Sequence, residues 1–183
     1  MSTVVALAGR RIDAPDADTI RFPLGNAAAV ADRIAGTLQR LGAGTLVSSA
    51  ACGADLLALE AAGALGMRRV VVLPFEPRRF RAESVTDRPG GTERWGPAFD
   101  RVLRELADRD LVVLDGDTEG TEAFAAANER ILGEALARAS DARVRAVALV
   151  VWDGAPRGGG DLTAHFAEAA RRRGLAVEEV STL

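Results

Sequence analysis

The residues Thr45-Leu-Val-Ser-Ser-Ala-Ala-Cys-Gly-Ala-Asp55 run from an apolar strand through a turn of small side chains into a helix that carries a carboxylate in its first turn. This is how an anion site is built. The first backbone N–H groups of a helix have no partners within the helix and lie at the positive end of its dipole, and small residues let a phosphate come close to them. Ser48, Ser49, Ala51, Cys52 and Gly53 supply that turn, and Asp55 could bond a sugar hydroxyl or the neighbouring loop.

Other short apolar runs end in similar chemistry. Gly9, Arg10 and Arg11 follow the first run, where a guanidinium fork could clamp phosphate oxygens or simply be solvated. Pro74 and Phe75 follow the third, then Asp115, Gly116, Gly120, Thr121 and Glu122 the fourth, and Trp152 closes the fifth. Phe75 and Trp152 are candidates to stack on a base, or to be core. Asn128 lies on an apolar helical stripe with Phe124, Ile131 and Leu132, so its amide should face inward and needs a partner, either a loop or a ligand. His165, one turn after Asp161, reads as a bystander, and Cys52 lacks a neighbouring base that would make it a nucleophile.

Several classes of function are excluded or disfavoured. All 23 basic residues are arginine, so there is neither a P-loop lysine nor Schiff-base chemistry. No Gly-x-Gly-x-x-Gly follows the first run and no metal-ligand spacing occurs, so neither a bound cofactor nor a metal is expected. A single cysteine rules out an internal disulfide and suits a reducing compartment. With no secretory leader and no apolar run long enough to span a bilayer, a cytoplasmic protein without membrane contact is expected. A net charge of −3 lacks the overall positive field that draws a chain onto nucleic acid, so no nucleic-acid partner is expected.

The elements that must position these residues are legible. Val4–Ala8, Thr45–Ser48, Arg69–Leu73, Leu111–Leu114 and Val147–Trp152 are apolar on both alternating faces, as strands covered on two sides are. Leu175–Val180 alternates with Glu and Ala and suits an edge. Between them lie helical stripes such as Val30, Ile34, Leu38 and Leu41. The pattern predicts one domain over residues 1–183, a doubly wound, Rossmann-like three-layer α/β sandwich whose mostly parallel sheet has about six strands. The segment 74–97 reads as a long loop able to act as a lid, although two Phe and a Trp within it should pack onto something.

Val4-Val-Ala-Leu-Ala-Gly9-Arg-Arg11, the Ser48-x-x-Ala51-x-Gly53-x-Asp55 element and Val70-Val-Val-Leu-Pro74-Phe75 resemble the SLOG superfamily. These Rossmann-like domains are related to the DNA-processing protein A core and to the "lonely guy" phosphoribohydrolases. The resemblance implies a small-molecule ligand, a nucleotide or NAD-derived compound, bound at the strand carboxyl ends by a sensor or regulatory domain that could self-associate. Enzymatic members carry Pro-Gly-Gly-x-Gly-Thr-x-x-Glu after the fourth strand. Here Asp115-Gly116-Asp-Thr-Glu-Gly120-Thr121-Glu122-Ala-Phe124 puts Phe124 where the glutamate is expected. Binding is therefore favoured over the alternative, hydrolysis of the N-glycosidic bond of a nucleoside 5'-monophosphate by Glu122, Asp115 or a loop acid such as Glu83.

Overall fold

A computed structural model of the chain describes residues 2–114 and 119–183. Six strands form one sheet: β1 (Thr3–Gly9), β2 (Ala43–Ser48), β3 (Arg68–Leu73), β4 (Leu111–Val113), β5 (Arg145–Trp152) and β6 (Ala176–Ser181). Their order is β4-β3-β2-β1-β5-β6, and every neighbouring pair is parallel. The expected doubly wound α/β architecture is the one observed, and each expected strand begins and ends within two residues of the one found. β6 lies at an edge, as its alternating pattern requires.

Alternation along each strand decides which helices it meets. Val5 and Leu7 join one core with α1 (Ala27–Arg40), α2 (Ala54–Ala64) and α4 (Gly96–Glu105), whereas Val4, Ala6 and Ala8 join the opposite core with α5 (Gly120–Ala142) and α6 (Leu162–Arg172). Both faces of the sheet are thus covered, which is why its strands read as continuous apolar runs rather than as half-polar ones.

The segment 74–97 is not the open loop expected. Pro77–Ser84 forms α3, started by Pro77 and capped by the Glu76 carboxylate, which accepts from Arg78 N–H at 2.9 Å and Arg79 N–H at 2.7 Å. A π turn at Gly91–Trp95 then leads into α4. Phe80 and Trp95 have no exposed surface, and Phe80 stacks on Phe99 with ring centroids 6.0 Å apart. Buried aromatics anchor this segment to the core. The expected packing of its aromatic side chains is observed, while its helix was hidden by the charge of the Pro77–Ser84 stretch.

The start of α2 approaches β1 closely. A Cβ added at Gly9 would lie 2.4 Å from the Ala54 side chain and 2.6 Å from the Val151 carbonyl oxygen. Overfilling such a contact costs about 1–3 kcal/mol. Gly9→Ala is therefore expected to lower the urea midpoint of unfolding by a corresponding amount without altering the slope.

Candidate functional site

The strand order reverses direction at β1, because β2 lies on one side of it and β5 on the other. The chain leaves these strands toward opposite faces, and the crevice between their carboxyl ends is where open parallel sheets take ligands. A cavity of about 530 Å³ occupies this place. Its wall is drawn from the end of β1, the turn before α2, α3, α5 and the Arg157–Thr163 segment. Gly9, Arg10, Arg11, Ser49, Ala51, Asp55 and Asn128 are the expected site residues that it brings together.

Arg10 is there, but it does not offer a free fork to phosphate. Its Nη1 and Nη2 donate to both oxygens of Asp161 at 2.7 and 2.9 Å, its Nε donates to Asp153 at 2.9 Å, and Nη2 also reaches the Ala155 carbonyl at 2.7 Å. Only 3% of the residue is exposed. Burial opposes its charge, yet the bonds to Asp161 and Asp153 more than offset that and raise its pKa. Asp161 is held down to about 2; burial pushes it up, but the bonds from Arg10, Arg157 N–H and Ala164 N–H outweigh it. Arg10 is thus a structural clamp, a correction to its expected role.

Arg21 joins the cluster, donating to Asp153 at 2.5 Å and to the Ala155 carbonyl at 2.9 Å. The guanidinium of Arg157 lies close enough for Arg10 to lower its pKa, though burial lowers it more, and it forms no ion pair among the described residues. Three arginines thus stand around two carboxylates; all three line the cavity, and Arg157 is the one without an ion pair among the described residues.

The turn before α2 is partly committed to the chain itself. Ala54 N–H donates to the Arg10 carbonyl at 3.1 Å, Cys52 N–H to the Ser84 carbonyl at 3.0 Å, and Ala51 N–H to Asp55 Oδ2 at 3.2 Å. Gly53, at φ 97°, lies so close to the Arg10–Ile12 backbone that a Cβ would come within 2.8 Å of the Arg10 carbonyl oxygen. These amides tie the turn to the residue after β1, to α3 and to Asp55, so the cradle expected there is narrower than the helix start suggests. The Ser48 hydroxyl is buried and donates to the Ser49 carbonyl. Cys52 is buried too, and burial pushes its thiol up to about 11, consistent with an inert side chain.

The remaining expected residues part company. Pro74 and Phe75 are buried, and Phe75 packs edge-on against Phe124 with centroids 5.7 Å apart, so it is core rather than a stacking platform. Trp152 gives its Nε1–H to Glu179 at 3.0 Å and lies outside the cavity wall. Gly120, Thr121 and Glu122 are exposed at the start of α5 and do not line the cavity. Asp115 and Gly116 lie outside the described residues. Asn128 faces inward as its stripe requires and donates to the Leu162 carbonyl at 3.0 Å, while also lining the cavity.

Sequence reasoning missed Arg88, Arg157 and Asp161. Asp161 had a readable signal: it follows a glycine run and caps α6, accepting from Thr163 and Ala164 N–H. Arg88 lay inside the segment taken for a loop. Among the described residues its buried Nε, 3.5 Å from Asp87, has no hydrogen-bond partner, and neither has the buried Ser49 hydroxyl. Both residues line the cavity. Arg11 bonds both oxygens of Asp87 at 2.9 Å across the same wall.

No family model matches the chain, and no curated protein matches it. Among solved structures the chain is similar to DNA processing protein A from Streptococcus pneumoniae, with 17% identity, a TM-score of 0.41, and coverage of 97% of this chain and 58% of that one. The chain thus spans little more than half of that protein's length. This comparison, with a protein named for DNA processing, overturns the expectation that nucleic acid is excluded as a partner. The physical fault in that expectation is plain: a net charge of −3 is a sum over the whole surface and does not describe any one patch of it.

Asp161→Ala leaves Arg10 buried with half its partners, a loss of about 3–5 kcal/mol. Urea unfolding at neutral pH is expected to show it. Because the folded pKa of Asp161 is depressed, its stabilisation is present above its unfolded value and lost as pH falls from about 4 toward 2. The wild-type protein should lose stability across that window, and Asp161→Ala should not show this component.

Proposed function

We propose that the protein binds a nucleotide or nucleotide derivative in the cavity at the β1/β5 switch point, as a sensor or regulatory domain of SLOG type working in the cytoplasm. The observation that carries the reading is two buried donors on one wall, the Ser49 hydroxyl and Arg88 Nε, that find no hydrogen-bond acceptor among the described residues, beside the exposed Arg157 guanidinium, which forms no ion pair among them. Buried donors left in this state are costly unless something accepts from them, and phosphate oxygens accept from several at once. Phosphate therefore sits between the Ser49–Ala51 turn and these arginines rather than on the α2 amides alone. Phe80, Phe124 and Ile131 give the cavity an apolar side suited to a base. The Ser-x-x-Ala-x-Gly-x-Asp element adds the support of resemblance.

A thermal-shift panel of AMP, cyclic AMP, NAD and ADP-ribose tests this. A ligand at about 100 times its Kd adds about 2.7 kcal/mol, which for a chain of this size raises Tm by about 5–10 °C. Arg157→Ala should weaken the binding ligand about 10–100-fold in calorimetry, the worth of one charge-assisted contact. If no panel member moves Tm, the reading fails.

Glu83 favours a second reading. Of the acids considered for cleavage of an N-glycosidic bond, it lines the cavity, whereas Glu122 does not. Base released from a nucleoside monophosphate, seen by chromatography and abolished in Glu83→Gln, would establish hydrolysis; no release above the blank leaves binding alone.

A further inference from the structure

Asp55 is the wall residue that phosphate capture leaves unexplained. It is 7% exposed, and its Oδ2 accepts from Ala51 N–H. Among the described residues no arginine lies within ion-pair distance of it, although the cavity it lines also contains Arg11, Arg88 and Arg157. The cavity also carries Asp18 and Asp13, whose Oδ2 accepts from Arg21 and Phe22 N–H, and other charged groups near Asp55 pair among themselves. Arg11 of the β1 loop pairs with Asp87, and Glu83 of α3 pairs with Arg79 at 2.9 Å. Arg101 of α4 pairs with Glu60 farther along α2, and β3 carries Arg68 and Arg69 at the opposite end of the sheet, paired with Asp110 and Glu105. On this side of the sheet α1 contributes Val30, Ile34 and Leu38 to the shared core.

An ionised carboxylate here would repel the anion that the arginines attract, and at low dielectric the repulsion would be large. A carboxylic acid would instead donate. We propose that Asp55 is a specificity-determining residue of the cavity, giving a hydrogen bond from its carboxyl O–H to an anionic oxygen of the ligand; the inference rests on the nucleotide reading above. Burial supports it, pushing Asp55 up to about 7 against the opposing pull of Ala51 N–H and the Arg11 charge. The sign follows: the donor is present below that value and is lost above it. Affinity for an oxyanion should then be full near pH 6 and fall about tenfold for each pH unit above 7.

ADP-ribose is a suitable probe because the charge on its diphosphate bridge is constant over this range. Calorimetry at about pH 6 and about pH 8 should show roughly tenfold weaker binding at the higher pH for the wild type. Asp55→Asn, a permanent neutral donor, should show no such change. Binding equally tight at both pH values overturns this inference and leaves the nucleotide reading standing. Failure of every panel member to bind at about pH 6 removes both. An independent measurement needs no ligand: the carboxyl carbon resonance of Asp55 in the free protein should titrate near 7, and titration near 4, the ordinary aspartate range, overturns the inference by itself.

Discussion

The buried ion cluster of Arg10 with Asp153 and Asp161 is the constraint on which the crevice depends. It ties the residue after β1 to the loop after β5, the two strands whose connections part at the switch point. Such a cluster adds little net stability over apolar packing of the same shape, because desolvating the charges nearly cancels their attraction. Its value is positional. The β5–α6 loop contains Gly154, Gly158, Gly159 and Gly160, which cannot hold a shape by side-chain packing. Arg10 fixes that loop through Ala155 and Asp161, and Asp161 in turn caps α6.

The same cluster decides where positive charge is available. Arg10 and Arg21 are consumed by the two carboxylates, and Arg157 is left over at the cavity. The turn before α2 makes the opposite trade, since several of its amides bond the chain while β1 and α2 pack closely at Gly9 and Gly53. An anion approaching the crevice thus meets guanidinium groups and a serine hydroxyl more than a bare helix start. Close packing of β1 and α2 sharpens the geometry of the wall, and bonds within the chain take up some of the donors of the small-residue turn.

What could be read in the sequence divides along the same physical line. The six strands were legible because each is buried on two faces and so is apolar throughout, and Asn128 was legible because an amide on an apolar stripe must turn inward. α3 was not, since after the capping pair Glu76-Pro77 its interior is mostly charged, with Arg78, Arg79, Arg81 and Glu83 around Phe80 and no apolar stripe to mark a helix. For Arg10 the sequence offers a phosphate or solvent, and its actual partners are neither. Asp153 and Asp161 lie 143 and 151 residues away, and nothing local in a sequence separates a guanidinium that will meet phosphate from one that will meet a distant carboxylate. Gly120, Thr121 and Glu122 failed for a related reason, because following a strand in sequence does not ensure facing the crevice.

The two borders of the sheet carry a consequence of their own. β4 is three residues long, and β6 bears Glu178 and Glu179, which Arg40, Arg171 and the Trp152 indole engage from neighbouring elements. An unpaired ribbon of backbone is a template for runaway polymerisation, and short or charge-bearing margins deny it a foothold. Among the described residues the sheet ends at six strands, and both of its margins are of the kind that discourages one copy from zipping onto the next.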